Sequence, residues 1–171
     1  YTFLNKIAKQ FPKKQLCTLA YLHTYNPPIN LKIASNITTL FCPIEMDRGN
    51  PISLKNNNKP VANTLARWQS ASKNLFVWDY TVQFANYMSP FPNLSYFVEN
   101  YTTFKANNVK GLFVQGYADV PGDFSELRQY LLAKLLWDAS IDVKATTADF
   151  LRGFYGKAAS EIENYLKLLS E

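Results

Sequence analysis

Two carboxylates follow apolar segments of this chain at positions where chemistry could occur. Glu45 comes directly after ITTLFCPI, residues 37–44, and Asp79 lies near the end of LFVWDY, residues 75–80. Two carboxyl groups at one site can hydrolyse a glycosidic bond, one as general acid and the other as nucleophile or as the base that activates water. Glu45 and Asp79 are therefore the candidate catalytic pair. Each has a structural alternative: Asp79 anchors a loop or pairs with Arg48, and Glu45 bonds the backbone at a turn.

The segment VWDYTVQFANYMSPFP, residues 77–92, mixes large aromatic side chains with amides where the chain should be turning. Sugars present apolar C–H faces and hydroxyl edges, so flat rings beside amides and carboxylates suit a carbohydrate site. Other polar or aromatic residues also stand where apolar runs stop. The candidate substrate-binding residues are His23, Arg48, Trp78, Tyr80, Gln83, Asn86, Tyr87 and Gln115.

Several of these residues have more than one interpretation. His23 is the single histidine, and it either binds a hydroxyl group or serves the fold. Arg48 can hold a uronic-acid carboxylate through its two-pronged guanidinium, or it can pair with Asp47 or Asp79. Trp78 faces either the interior of a barrel or a layer of helices.

Four short apolar runs occur along the chain, and their length predicts strands covered on both faces, as in a parallel sheet. These runs are residues 16–22, 37–44, 75–80 and 111–117. Helical periodicity fills most of the remaining chain. The predicted helices cover residues 1–11, 61–72 and 94–106, then a long helix after Asp123, and finally residues 147–155 and 158–169. Asn26 to Pro28 leave little room for a helix between the first two runs.

Local signals mark some of the helix ends and the state of the cysteines. Asp123 followed by Glu126 predicts a capping box, and Asn93 is a candidate cap for the helix over residues 94–106. Gly156 is predicted to end the helix before it. Cys17 and Cys42 lie in apolar runs, which predicts two free, buried thiols.

Alternating strands and helices predict an α/β fold with right-handed crossovers, and a closed barrel is the commonest such form. A complete eight-unit barrel needs roughly 200–250 residues, whereas this chain has 171 and shows four strands. We therefore expect residues 1–140 to be the C-terminal half of a (β/α)8 barrel, about strands five to eight, with residues 141–171 as a helical extension packed on it. The missing N-terminal half would lie upstream or on another chain.

Six segments together carry a resemblance: LAYLHTYNPP, FCPIEMDR, NLFVWDYTVQFANYMSPFPN, NNVKGLFVQG, LRQYLLAKLLWD and DFLRGFYGKAA. The chain resembles, over essentially its whole length, an uncharacterised domain-of-unknown-function family of large bacterial proteins associated with glycan degradation. That family is distantly similar to α-glucuronidases and other barrel glycoside hydrolases. The resemblance implies a secreted, periplasmic or cell-surface protein. It also implies that Glu45 and Asp79 both act on the water molecule that attacks the sugar. The general acid would then lie on a strand missing from this chain.

Composition and spacing further limit the classes of binding partner that we expect. The formal net charge is +5, but the lysines are scattered and form no basic stripe, so nucleic acid is not an expected partner. No apolar stretch approaches the ~20 residues of a membrane span. His, Cys and acidic residues show no metal-ligand spacing, and no phosphate-binding loop occurs, so no metal or cofactor is expected. The expected partners are carbohydrate and the missing half of the barrel.

Two functions from different classes fit these features. The first is part of a glycoside-hydrolase-like domain that binds and hydrolyses a complex, uronic-acid-containing polysaccharide. The second is a non-catalytic carbohydrate-binding or scaffolding barrel domain, which keeps the aromatic residues and has no working acid–base pair.

Overall fold

The computed structural model describes residues 1–117 and 121–170. Its four strands are β1 (Leu16–Ala20), β2 (Ile37–Phe41), β3 (Asn74–Tyr80) and β4 (Gly111–Gln115). Its α-helices are α1 (Thr2–Gln10), α2 (Lys59–Ala71), α3 (Tyr96–Ala106), α4 (Ser125–Trp137), α5 (Val143–Tyr155) and α6 (Ala159–Leu169). Short 3-10 helices cover Leu22–Thr24 and Gly156–Ala158. The α/β class is therefore confirmed, and each strand lies within one of the apolar runs or begins one residue before it.

The four strands form one parallel sheet in the order β1-β2-β3-β4. Consecutive strands are neighbours, and α2 and α3 lie on the two later crossovers. The connection from β1 to β2 contains only the 3-10 helix Leu22–Thr24, as the proline-containing linker predicted. All four carboxyl ends therefore lie along one edge of the sheet, which is where α/β proteins place their ligands.

The chain divides into two compact units. The first, here the sheet unit, comprises Tyr1–Asp47, Ile52–Tyr80 and Thr103–Gln115 and contains all four strands. The second, here the helical unit, comprises Arg48–Pro51, Thr81–Thr102 and Gly116–Glu171. The crossover from β2 to β3 thus belongs mostly to the sheet unit, whereas most of the crossover after β3 and the segment after β4 form the helical unit.

One face of the sheet is buried by helices and connections of the sheet unit. On this helix face lie Thr39 and Phe41, which are fully buried. The Tyr1 hydroxyl group at the start of α1 donates to Thr39 Oγ1 over 3.2 Å, and the Tyr25 ring packs on the Phe41 ring with centroids 5.1 Å apart. Leu75 and Val77 continue the buried row in β3. The core of this unit is thus assembled on one side of the sheet.

The opposite face, here the open face, is more exposed although its side chains are largely apolar. The strand register aligns Leu19 with Leu40, Leu40 with Phe76 and Trp78 with Phe113. Leu19 is 43% exposed and Phe113 is 50% exposed. Parallel sheets normally bury both faces, so this face has the composition of a buried surface and the exposure of an uncovered one.

Gly111 at the start of β4 lets the Phe76 ring lie against the backbone on the open face. A Cβ atom at residue 111 would stand 2.5 Å from Phe76 Cε2. We expect Gly111→Ala to lower the free energy of unfolding by about 1–3 kcal/mol, because the ring must leave its position. Gly116→Ala is the matched control, since its Cβ atom meets nothing within 4 Å. Urea unfolding that gives equal stability for the two variants would contradict this packing.

The helical unit packs α4 and α5 around Leu127, Leu131 and Leu151. Ile162 and Leu166 of α6 close the same cluster. The α5 helix begins at Val143, one turn earlier than predicted, because Asp142 Oδ1 accepts the Ala145 N–H over 3.0 Å and caps it. It ends at Gly156, as expected, where φ is +55°.

Three local predictions were wrong. The Asp123–Glu126 capping box is absent, because α4 begins at Ser125 with Phe124 before it, and Asp123 instead pairs with Arg128. Asn93 does not cap α3 with its side chain, which bonds the Thr81 carbonyl group. Both cysteines are free, but only Cys42 is buried, and burial raises the pKa of its thiol to about 11. Cys17 is exposed because it lies on the less covered face of the sheet, the same face as Leu19, whereas Ala20 on the other face is fully buried.

Across the described residues, no helix combines the length and apolar character needed to span a membrane.

Candidate functional site

The first two strands of the sheet unit end in exposed polar residues. His23 lies in the short 3-10 helix that follows β1, and its side chain is exposed. Glu45 lies in a turn four residues after the end of β2 and is also exposed. Both residues follow the carboxyl ends of neighbouring parallel strands, as predicted. Exposure leaves the Glu45 carboxylate accessible to a ligand.

Tyr25 provides a phenol close to the Glu45 carboxylate. Burial raises the pKa of the Tyr25 phenol, a hydrogen bond with Thr64 opposes this, and the negative charge of Glu45 adds to the increase. The Tyr25 carbonyl group accepts the Trp68 Nε1 hydrogen over 2.8 Å, so α2 fixes the position of this residue. A carboxylate and a protonated phenol thus occur together beyond β1 and β2.

The ends of β3 and β4 carry a connected group of rings and an amide. Trp78 donates from Nε1 to Gln115 Oε1 over 3.0 Å. The Trp78 ring also contacts the Phe113 ring edge-on, with centroids 4.5 Å apart, and lies nearly parallel to the Tyr80 ring, with centroids 6.2 Å apart. This group, here the strand-end cluster, comprises Trp78, Tyr80, Phe113 and Gln115. The two orientations left open for Trp78 are thereby resolved: it lies on the open face.

Asp79 takes the opposite orientation from its neighbours in β3. Side chains alternate between the two faces of a strand, and Leu75, Val77 and Asp79 form the buried row of β3. Asp79 is 1% exposed. The carboxylate therefore lies on the helix face, whereas Trp78 lies on the open face. The two candidate catalytic carboxylates therefore lie in different environments, since Asp79 is buried and Glu45 is exposed.

The other four candidates lie in the helical unit. Arg48 stacks on Phe84, with its guanidinium carbon 5.3 Å from the ring centroid. Tyr87 packs edge-on against Tyr117, with ring centroids 5.2 Å apart. Two candidate amides shape the loop itself: Gln83 Oε1 accepts the Asn86 N–H, and Asn86 Oδ1 accepts the Met88 N–H over 3.2 Å.

Residues 81–93 form a loop, here the clamped loop, whose two ends are tied together by a buried polar network. Asn93 Nδ2 donates to the Thr81 carbonyl group over 3.1 Å. Arg128, which is 2% exposed, donates from Nη1 to Asn93 Oδ1 and from Nη2 to the Phe91 carbonyl group. The same guanidinium contacts Asp123 Oδ2 at 2.8 Å. Closely tied ends are typical of compact Ω-loops.

Asp123 extends this network along the clamped loop. Its Oδ2 atom accepts the Phe91 N–H over 3.1 Å, and its own N–H donates to the Tyr87 carbonyl group over 3.1 Å. Arg128 Nε donates to the Asp123 carbonyl group over 2.7 Å. One buried ion pair therefore holds the backbone on both sides of Pro90, and with it the segment that carries Tyr87.

The network of Asn93, Asp123 and Arg128 was missed by the sequence analysis. One signal was available: Arg128 directly follows Leu127 and precedes Leu131 by three positions, so it lies beside the apolar stripe of α4. A charged side chain at that position needs a buried partner. Its ionic partner Asp123 is five positions away, whereas its hydrogen-bond partner Asn93 is 35 positions away and cannot be identified from the local sequence.

The described residues contain no group of three or more His, Cys, Asp or Glu side chains that could hold a metal ion.

Comparisons with known proteins place the chain in a family and go no further. Neither the curated proteins nor the solved structures yield a significant match. The profile of one family matches residues 1–167, which is nearly the entire chain. The chain therefore belongs to the family described as Domain of unknown function (DUF4838).

Proposed function

We propose that this chain is part of a glycoside-hydrolase-like barrel domain that binds complex polysaccharide at the carboxyl ends of its parallel strands. The sheet would form about strands five to eight of the barrel. The strand-end cluster would contact sugar rings, and Glu45 would act on the glycosidic bond.

The two faces of the sheet support the half-barrel. In a (β/α)8 barrel the helices cover the outer face, and the inner face packs against the strands on the far side of the cylinder. The helix face matches the outer surface, since Thr39 and Phe41 are buried beneath α1 and the Tyr25 connection. The open face, with Leu19 and Phe113 at its two edges, matches an inner surface whose opposite strands are supplied elsewhere.

The hydrogen bond from Trp78 Nε1 to Gln115 Oε1 is the observation that carries the proposal. It fixes an indole ring and an amide beside each other at the strand ends, next to Tyr80. A ring face binds the apolar C–H surface of a sugar, and an amide binds hydroxyl groups. An indole held by its own hydrogen bond also loses little side-chain entropy on binding.

Acidic sugars are the proposed substrate class within polysaccharides. In the helical unit Arg48 stacks its guanidinium on Phe84, which places a positive charge beside an aromatic ring. A guanidinium can bind a uronic-acid carboxylate through two parallel hydrogen bonds. In hydrolysis Glu45 would activate water or attack the anomeric carbon, and the general acid would come from a strand outside this chain.

A non-catalytic carbohydrate-binding domain is the second candidate, and the burial of Asp79 favours it. Asp79 is 1% exposed and belongs to the buried row on the helix face. A carboxylate in that position can anchor the end of β3 without contacting substrate. In this case the strand-end cluster binds sugar, and Glu45 has no catalytic partner.

The two candidates are separated by measuring binding and turnover on an acidic polysaccharide. Trp78→Ala should weaken binding by about tenfold, because a ring contact is lost. Trp137→Ala is the matched control, since Trp137 is 94% exposed in the helical unit, and it should bind normally. In the catalytic case Glu45→Gln should lower kcat by about 10²–10⁴-fold with binding retained.

Asp79→Asn adds a further distinction. Loss of kcat in this variant, with unchanged unfolding, would restore Asp79 to the catalytic pair. Normal binding by Trp78→Ala would remove the strand-end cluster from the site. Absence of turnover in the wild-type protein, with Trp78-dependent binding, would select the non-catalytic candidate.

A further inference from the structure

The helical unit contains a cavity of about 580 Å³ that is separate from every residue assigned to sugar binding. Its lining comes from Phe91 to Ser95 after the clamped loop, from the start of α5 and from the end of α6. Cavities of this size are typical of small-molecule sites. No residue in this lining belongs to the strand-end cluster, so any ligand of the cavity would differ from one bound at that cluster.

The walls of the cavity are apolar. The apolar side chains that line it are Phe91, Leu94, Val143, Leu166 and Leu169. Leu94 and Leu166 also pack on the core of the helical unit, so their positions are set by the fold. A ligand that fills this space must therefore present a hydrocarbon surface.

Positive charge predominates around the cavity. Lys144 of α5 and Lys167 of α6 both line it, together with Glu163, whose carboxylate is partly exposed. Lys167 Nζ lies 2.9 Å from Glu163 Oε1, which neutralises that pair. Lys144 is exposed and has no ion-pair partner among the described residues. One positive charge therefore remains in excess beside a hydrocarbon-lined space.

The floor of the cavity is held in place before any ligand binds. Arg128 and Asp123 contribute to its lining, and their ion pair is buried, with side chains 3% and 9% exposed. Asp123 and Arg128 also bond the N–H and carbonyl groups of Phe91. The wall residue Phe91 is thus fixed, which lowers the entropic cost of binding.

We propose that this cavity binds an anionic amphiphile with a single aliphatic chain, whose hydrocarbon lies between Phe91 and Leu166 and whose carboxylate lies beside Lys144. The apolar wall residues favour a hydrocarbon chain over a strongly polar ligand such as a sugar, and the polar groups Ser95, Thr147 and Ser170 make up a smaller part of the lining. A cationic amphiphile would bring its charge beside that of Lys144. This assignment does not depend on the proposed polysaccharide site.

The test is calorimetric titration of the purified protein with decanoate below its micellar concentration. We expect a one-to-one complex with a Kd of roughly 10–100 µM. Lys144→Glu should raise the Kd by about tenfold, because an attractive charge becomes repulsive. Lys157→Glu makes the same charge change at an exposed residue outside the lining and should leave the Kd unchanged. Decanol and decyltrimethylammonium should bind more weakly than decanoate.

A second variant tests the cavity itself. Ala148 lines the cavity, so Ala148→Trp should fill it and abolish decanoate binding while circular dichroism stays unchanged. Equal affinity for decanoate and decyltrimethylammonium, or an unchanged Kd in Lys144→Glu, would overturn the charge assignment. Decanoate binding that survives in a folded Ala148→Trp variant, or no binding by the wild-type protein, would overturn the proposal.

Discussion

Replacement of Arg128 by methionine should lower the free energy of unfolding by about 3–5 kcal/mol, because it removes one partner of a buried ion pair. The substitution leaves the Asp123 carboxylate without its cation. It also removes the donors to Asn93 Oδ1 and to the Phe91 carbonyl group. Buried acceptors that lose their donors cost more than the hydrogen bond contributed.

Arg152→Met is the matched control for this experiment. Arg152 also lies on a helix of the helical unit and pairs with Asp149 at 3.4 Å, but both side chains are 68% exposed. An exposed pair contributes little, so we expect a change within about 0.5 kcal/mol. Urea unfolding measures both variants. Equal destabilisation by the two substitutions would show that the burial of Arg128 has no energetic role.

Hydrogen exchange adds a local measurement to the same variant. The Phe91 N–H donates to Asp123 Oδ2, which Arg128 holds. Exchange at Phe91 should therefore accelerate in Arg128→Met beyond the increase that global destabilisation produces. An acceleration spread evenly over the protein would mean that the network stabilises the unit without holding the clamped loop.

Trp68→Ala should destabilise the sheet unit by about 3–5 kcal/mol, because it removes the largest fully buried side chain. Trp68 is 0% exposed, its ring lies 5.5 Å from the Tyr1 ring, and its Nε1 atom donates to the Tyr25 carbonyl group. The residue thus connects α2 to the start of α1 and to the linker between β1 and β2.

Trp68→Phe separates the two contributions of this side chain. It keeps much of the apolar volume and loses the hydrogen bond to Tyr25, so we expect a smaller loss of about 1–3 kcal/mol. Trp137→Ala is the control, and it should change stability by less than about 0.5 kcal/mol. Thermal unfolding midpoints provide the comparison. A Trp68→Ala protein as stable as Trp137→Ala would contradict the core position of Trp68.

Much of the secondary structure was predictable because its signals are local. The length and composition of the run LFVWDY predict a strand, and β3 covers Asn74–Tyr80. Pro27 and Pro28 correctly indicated that the first connection has little room for a full helix, and it contains only a short 3-10 helix. The parallel arrangement followed from the alternation of strands and helices, because a helical crossover brings the next strand back in the same direction.

The sequence could predict which residues follow the strand ends, but not how their side chains are arranged there. Parallel strands bring their carboxyl ends to one edge, so His23, Glu45, Asp79 and Gln115 could be associated with that edge. Gln83 and Asn86 are predicted sugar ligands, and in the structure their side chains accept hydrogen bonds from the loop backbone. Polar side chains in loops serve both purposes, and sequence alone does not distinguish them.

The amino-acid sequence by itself determined the element types, the α/β class and the family. Periodicity and turn residues depend on residues close in sequence, and motif order depends on the sequence alone. Only the tertiary structure decided that Asp79 is buried on the helix face while Trp78 lies on the open face, and that Arg128 pairs with Asp123 and holds Asn93. The physical reason is that alternation in a strand specifies two faces without saying which one the helices cover. That choice, and the hydrogen bonds from Arg128 to Asn93 and Phe91, depend on contacts between residues far apart in sequence.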